Sequence, residues 1–225
     1  MSRISDSLEA VRERIARTCA SYGRPPQAVR LVAVGKGFPP AALREALGAG
    51  QRDFGESYLQ EAVAKIPHLP RAGLAWHFIG PIQSNKTRGV AEHFDWAHGI
   101  ERLSIAERLS AQRPEDMGPL SVCVQVNISG EASKSGCAPT EAADLCRAVA
   151  ALPRLQLRGL MAIPAPGRQV RRDFRRLNEL YESLRRSGLQ LDTLSAGMSD
   201  DLEDAIAEGS TLVRVGTAIF GSRQK

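Results

Sequence analysis

A (β/α)8 barrel, an α/β fold in one domain spanning 1–225, is what this sequence predicts, on three observations. Short β-like runs and helical patterns alternate eight times, and each parallel strand needs a crossover, usually a helix, to return the chain. The 225 residues match one barrel of about 200–250 residues and leave no space for a second domain. No G-x-G-x-x-G follows the first β-like run, so the main rival, a dinucleotide-binding open sheet, has little support.

The elements follow in order. Within 1–23, Ile4, Leu8, Val11 and Ile15 recur at helical spacing among Asp6, Glu9, Arg12, Glu13, Arg14 and Arg17. That is an amphipathic helix with one face for the protein body, and it lacks the apolar stretch of a signal peptide. The β-like runs are 30–36, 52–56, 74–80, 96–100, 120–127, 156–163, 193–198 and 212–219. Helical patterns at 40–47, 58–66, 85–93, 103–111, 141–152, 170–186 and 200–208 fill the gaps, with turn residues between them. After the eighth run little chain is left for a helix, so the extra N-terminal helix is expected to pack beside that gap.

Composition narrows the class. With 43% hydrophobic, 24% charged and 5% aromatic residues, disordered and collagen-like chains are excluded. No window approaches the roughly 18 apolar residues of a spanning helix, and a cytoplasmic location is the expectation. The four cysteines form no C-x-x-C and the four histidines no H-E-x-x-H, so neither a disulfide framework nor a metal site is indicated. The cations are the unusual feature: 25 are arginine, and only Lys36, Lys65, Lys86, Lys134 and Lys225 are lysine.

Barrel chemistry gathers at the C-terminal ends of the strands, and phosphate sites often use the loops after strands seven and eight. The first strand ends in Val32-Ala33-Val34-Gly35-Lys36. A snorkelling strand-end cation is the plain explanation of Lys36. In an arginine-rich chain, however, only lysine can give up its proton and attack a carbonyl. Gly197-Met198-Ser199-Asp200 follows the seventh strand and offers N–H groups and a hydroxyl to an anion. A helix cap, with Asp200 and Glu203 as a capping-box variant, explains the same residues without a ligand. Arg214 and Gly216 share a face of the eighth strand, and Gly216-Thr217 adds a close backbone approach and a hydroxyl. A buried arginine is costly unless paired. Strand eight neighbours strand one in a closed barrel, so Lys36 and a Gly216-Thr217 phosphate cradle flank one flat ligand. Pyridoxal 5′-phosphate, whose aldehyde condenses with lysine, fits that pair, and so does the substrate of a class I sugar-phosphate aldolase.

The sequence also resembles a known family. Trp76-His77-Phe78-Ile79-Gly80-Pro81, Gln83-Ser84-Asn85-Lys86, Gly159-Leu160-Met161-Ala162-Ile163-Pro164, Gly197-Met198-Ser199-Asp200-Asp201 and Arg214-Val215-Gly216-Thr217-Ala218-Ile219-Phe220-Gly221 run across nearly the whole chain in the order of the YggS/PROSC-type pyridoxal phosphate homeostasis proteins. The resemblance implies a single barrel of the alanine-racemase N-terminal-domain type with pyridoxal 5′-phosphate on Lys36 as an internal aldimine. It implies phosphate contacts from Ser199, Gly216 and Thr217, Arg214 facing the pyridine nitrogen, and His77 and Met161 lining the pocket. Ser57 stands where the family has Asn, which makes a polar cofactor contact there shorter or water-bridged. Gly35 and Gly37 flank Lys36 where Ser and Thr or Lys are commoner, and Ala196 replaces a usual Met.

The implied function is pyridoxal phosphate supply and amino-acid balance, without established turnover. The cofactor is held on Lys36 and made available to other proteins, possible recipients being PLP-dependent apo-enzymes. The alternative is an amino-acid enzyme with weak racemase-like activity. An arginine at the pyridine nitrogen keeps that nitrogen unprotonated and the ring a poor electron sink. Tyr22, Tyr58 and Tyr181 fall on predicted helices or a helix end, with none an obvious catalytic base. A nucleic-acid role, prompted by Arg168, Arg171, Arg172, Arg175, Arg176, Arg185 and Arg186, is disfavoured because Asp173, Glu179 and Glu182 interleave them as on a solvated face. A monomer without membrane or nucleic-acid partners is expected. Lys86 and Lys134 fall in rim loops, as solvated cations or as secondary acceptors during hand-over. Lys65 and Lys225 have only the plain explanation.

Overall fold

The computed structural model describes residues 3–131, 134–165, 167 and 169–222; Arg168 and Lys225, used above, lie outside them. Eight parallel strands close in sequence order: β1 (Arg30–Val34), β2 (Asp53–Glu56), β3 (Ala75–Phe78), β4 (Trp96–Ile100), β5 (Leu120–Gln125), β6 (Leu155–Met161), β7 (Thr193–Ser195) and β8 (Leu212–Val215). Closure is the pairing of β8 with β1, Val32 opposite Arg214 and Ala33 opposite Val215.

Around the sheet run α1 (Arg3–Ser21), α2 (Pro40–Gly48), α3 (Leu59–Lys65), α4 (Thr87–His93), α5 (Leu103–Gln112), α6 (Ala142–Ala150), α7 (Val170–Arg186), α8 (Leu202–Ala207) and α9 (Thr217–Phe220). Strand alternation divides the residues into two layers. Ala33, Phe54, Trp76, Phe78, Ala97, Val122, Leu160, Leu194 and Val213 face outward into the apolar core beneath the helices. Inside the barrel a small separate cluster of Trp96, Cys123 and Met161 shares the lumen with polar side chains. Arg30 and Arg158 both lie over the Trp96 ring, 5.5 and 4.7 Å from its centroid.

The eighth predicted run, 212–219, is a strand only to Val215. Its partner β1 ends at Val34, so no ladder remains for the residues beyond. The Ile219 and Phe220 N–H groups instead donate to the Gly216 carbonyl, both at 2.9 Å, and the β-branched run becomes the helical turn α9. The expected N-terminal helix does cover this region. Leu8, Val11, Ile15 and Cys19 are buried where α1 packs on α8, α9 and α2, each large aliphatic residue contributing about 1.5–3 kcal/mol. Arg14 adds a fork to the Glu203 carboxylate at 2.8 and 3.0 Å and a bond to the Ser199 carbonyl at 3.0 Å.

The arginine-rich α7 presents mixed charge. Arg171 and Arg175 both reach Glu208, Arg185 pairs with Glu182, and Arg176 donates to the Ile128 carbonyl. Arg113 plays an interior part: only 2% exposed, it donates to the carbonyls of Ala91, Phe94, Met117 and Gly118 at 2.7–3.2 Å. Its planar fork thereby ties the end of α4 to the segment before β5. Among the described residues no helix is long and apolar enough to cross a membrane.

Candidate functional site

At the C-terminal rim, where β1 and β8 adjoin, a cavity of about 250 Å³ is lined by Lys36 and Val34 from the first strand end, by Arg214, Gly216 and Thr217 from the eighth, and by Ser57, Ile79, Ile163, Met198, Ser199 and Asp200. Six of the eight residues expected to bind the ligand, namely Lys36, Ser57, Ser199, Arg214, Gly216 and Thr217, therefore converge on one space. His77 and Met161 do not. Both are fully buried, and β3 and β6 give the cavity Ile79 and Ile163 in their place. The reason is depth: these two side chains point into the lumen below the rim, and the wall is built from residues two positions further along.

Lys36 follows β1 in a turn whose shape two glycines set. A Cβ on Gly35 would stand 2.9 Å from Glu56 Oε1 and 2.9 Å from Leu43 Cδ1, and Gly37 has φ +80°, a conformation that only glycine adopts without strain. Lys65 braces this turn. Its buried Nζ donates to the Gly35 carbonyl at 2.7 Å, to Glu56 Oε1 at 2.8 Å and to Glu61 Oε1 at 2.5 Å, and the Gly37 N–H donates to that same Glu61 oxygen at 2.5 Å. Three donors meet three acceptors. Glu56 is fully buried and its Oε2 has no hydrogen-bond partner. Burial pushes this carboxyl up to about 7, with the Lys65 hydrogen bond and charge, and more weakly the Lys36 charge, pulling it back.

On the opposite side the loop after β7 turns at Gly197, φ +97°, where an added Cβ would meet Ala205 Cβ at 2.7 Å. The Met198 N–H donates to Asp201 Oδ1 at 2.6 Å, and Ser199 Oγ accepts from the Ala218 N–H of α9 at 3.3 Å. The capping box of Asp200 and Glu203 is not formed. The helix begins at Leu202 with Asp201 before it, and the Glu203 carboxylate is held by Arg14. That leaves the Ser199 hydroxyl, the Thr217 side chain and Gly216 on one wall of the cavity.

Arg214 closes the floor. It is 3% exposed and donates to Ser195 Oγ at 2.6 Å and to the Ala162 carbonyl at 3.1 Å. Desolvation pulls its guanidinium down to about 10, still a cation at neutral pH. A second cavity of about 220 Å³ shares the walls Ile79 and Ile163 with the first, and Lys134 lies in its lining with Pro81, Gln125 and Ser135. Lys86 lines neither cavity and sits before the first turn of α4.

This arrangement places an amine, two hydroxyls and a fixed cation around a pocket with apolar walls. It fits a flat aldehyde that also carries a phosphate: the amine for the carbonyl, Ser199 and Thr217 for the anion, Ile79 and Ile163 for the ring faces. Sequence reasoning did not anticipate Lys65, Glu56 or Glu61. The available signal was Lys65 as one of five lysines, four residues from Glu61 on a helix and so on its face.

Comparison with known proteins agrees with the geometry. The family model described as "Alanine racemase, N-terminal domain" matches residues 7–224. A pyridoxal phosphate homeostasis protein of Pseudomonas aeruginosa is 56% identical over 223 residues, which is 99% of this chain and 97% of the relative. Two structures of PipY from Synechococcus elongatus superpose on the chain. The one without PLP has TM-score 0.87 at 37% identity, and the one with PLP bound has TM-score 0.83 at 36% identity; each comparison covers 97% of this chain and 100% of the other.

Proposed function

The chain belongs to the alanine racemase N-terminal-domain family, and within it to the pyridoxal phosphate homeostasis proteins, and from that premise we propose that it holds pyridoxal 5′-phosphate on Lys36 and makes it available to PLP-dependent apo-enzymes. One observation carries the reading. Lys36, Ser199 and the Arg214–Thr217 stretch come from three separate segments and line one rim cavity, and a relative matched over its whole chain has a structure with PLP bound.

The Lys36 amine attaches the cofactor, Ser199, Gly216 and Thr217 hold its phosphate, and Arg214 faces its ring nitrogen. When bound, pyridoxal phosphate supplies an exchangeable aldehyde. A guanidinium at the ring, in place of a carboxylic acid, leaves that nitrogen without a proton and disfavours carbanion chemistry. Tyr22 and Tyr58 are exposed and Tyr181, a residue of α7, is buried, and the cavity lining contains no tyrosine, which supports holding over racemisation. The protein acts as a monomer in the cytoplasm, a reading consistent with the lack of any membrane-crossing helix among the described residues.

The test is visible absorbance of the purified protein loaded with pyridoxal phosphate. Wild type shows the band of lysine-bound cofactor, and Lys36→Ala does not. The same band in both overturns the assignment. Release is tested by mixing the loaded protein with an apo-enzyme; activity that returns no faster than from an equal dose of free pyridoxal phosphate without the carrier is expected, and no return at all refutes hand-over.

A further inference from the structure

Beneath the cavity a line of polar side chains crosses the barrel lumen. Arg214 Nη1 donates to Ser195 Oγ at 2.6 Å; Ser195 Oγ lies 2.9 Å from His98 Nδ1; His98 Nε2 lies 2.9 Å from His77 Nδ1; and His77 Nε2 lies 3.0 Å from Asp53 Oδ1. Ser195, His98 and His77 are fully buried. Asp53 begins β2 at the opposite, N-terminal end of the barrel, where Arg30 stands 3.7 Å from the same oxygen.

The protons in this line have one consistent arrangement. A guanidinium only donates, so Ser195 Oγ accepts from Arg214 and points its own hydrogen at His98 Nδ1. That nitrogen is then an acceptor, and the proton of His98 sits on Nε2 and is donated to His77 Nδ1. His77 in turn carries its proton on Nε2 and donates it to Asp53, whose ionised carboxylate only accepts. Burial pulls both rings down from the ordinary value, His98 well below it and His77 against the pull of Asp53, which favours neutral rings. Reversing the direction would set the bare Nε2 of His77 against the Asp53 carboxylate, two acceptors 3.0 Å apart. Arg214 has no carboxylate within ion-pair distance among the described residues, and an unpaired buried cation is costly. The Asp201 charge acts on it through space, and four aligned hydrogen bonds, each polarising the next, bring the influence of the Asp53 charge as well.

We propose that Asp53, His77, His98 and Ser195 form one directional hydrogen-bond chain that orients and polarises Arg214 from the far end of the barrel. This makes Asp53 a positioning residue for the ring side of the bound cofactor. The inference rests on the reading of Arg214 as the group that faces the cofactor ring. It also assigns His77, expected from the sequence at the pocket wall, to the support beneath it.

Two measurements test it. In the protein without added cofactor at neutral pH, side-chain 15N NMR is expected to show His77 and His98 each with the proton on Nε2. A proton on Nδ1 of either ring, or a doubly protonated ring, overturns the chain. In the protein loaded with pyridoxal phosphate, Asp53→Asn and Ser195→Ala are expected to move the visible absorbance maximum and to weaken retention roughly ten-fold, the size of one charge-assisted hydrogen bond. Ser195→Thr, which keeps the hydroxyl, restores both. A folded Asp53→Asn or Ser195→Ala with the wild-type spectrum and retention overturns the proposal, and the serine variants decide it if Asp53→Asn does not fold. Failure of the wild type to form the lysine-bound band refutes the cofactor reading instead, while the NMR result still decides the chain.

Discussion

Replacing Lys65 with Met removes the cation bonded to Glu56 while keeping an unbranched side chain of similar reach. Burial already pushes Glu56 from its ordinary 4.5 to about 7. A raised carboxyl binds its proton more tightly in the folded protein than in the unfolded chain. It therefore costs stability as pH rises from about 4.5 to about 7, at about 1.4 kcal/mol per unit and about 3 kcal/mol in total. Above pH 7 the wild-type cost is level. Without Lys65 the carboxyl moves above 7, and the cost continues to climb at about 1.4 kcal/mol per unit. The lost bonds to the Gly35 carbonyl and to Glu61 add about 1 kcal/mol each at every pH. The variant is then expected to be less stable than wild type by about 2 kcal/mol at pH 6 and by about 3–4 kcal/mol at pH 8. Urea unfolding of both proteins at pH 6, 7 and 8 measures this difference. The same deficit at pH 6 and pH 8 would refute the role of Lys65 as counter-ion to a buried carboxylate.

Three further outcomes are expected. His77 and His98 are held below the ordinary 6.5 by burial, so the unfolded chain takes up protons that the folded one refuses. Stability falls below pH 6.5 by up to about 1.4 kcal/mol per unit for each ring, opposed by one such term from Glu56, and urea midpoints between pH 6.5 and 5.5 should decline in wild type and be nearly level in His98→Gln. Gly159→Ala places a Cβ 1.7 Å from the Thr193 carbonyl oxygen of the adjoining strand; a loss of more than about 3 kcal/mol in a denaturant melt is expected, because backbone on both sides cannot yield. Arg113→Lys keeps the charge and loses the fork, leaving some of its four carbonyls unpaired; a drop of about 2–3 kcal/mol is expected by urea unfolding, and a drop under 1 contradicts the interior role.

The barrel was legible because its signals are local and repeated. Strand and helix periodicities switch at each turn, and among the described residues the largest change of type is the stretch after Val215, where the end of the β1 ladder overrides the strand preference of Thr217, Ile219 and Phe220. The rim residues were legible because the fold fixes where the strand ends point and because Lys36 is a scarce residue type. What could not be read were partners distant in sequence. Lys65 reaches Gly35 and Glu56 across a helix–strand packing, and His98 meets Ser195 from 97 positions away. The depth of His77 has a similar source. Alternation shows that it faces inward, but whether inward means rim or lumen depends on how many residues of β3 lie above it.

The contact of α1 with the rim bears on how the protein is made. The bond from Arg14 to Glu203 joins residues 189 positions apart, so the helix that steadies the Ser199 loop leaves the ribosome long before the residue it holds. At 5–20 residues per second it waits roughly 10–40 s for its partner. Until then its face toward α8 and α9 is uncovered, the β1–β8 seam is open, and the cavity lacks Arg214, Gly216 and Thr217. The binding site is thus completed only once β8 has been made, and a nascent chain cannot take up its ligand before nearly all of the barrel has emerged.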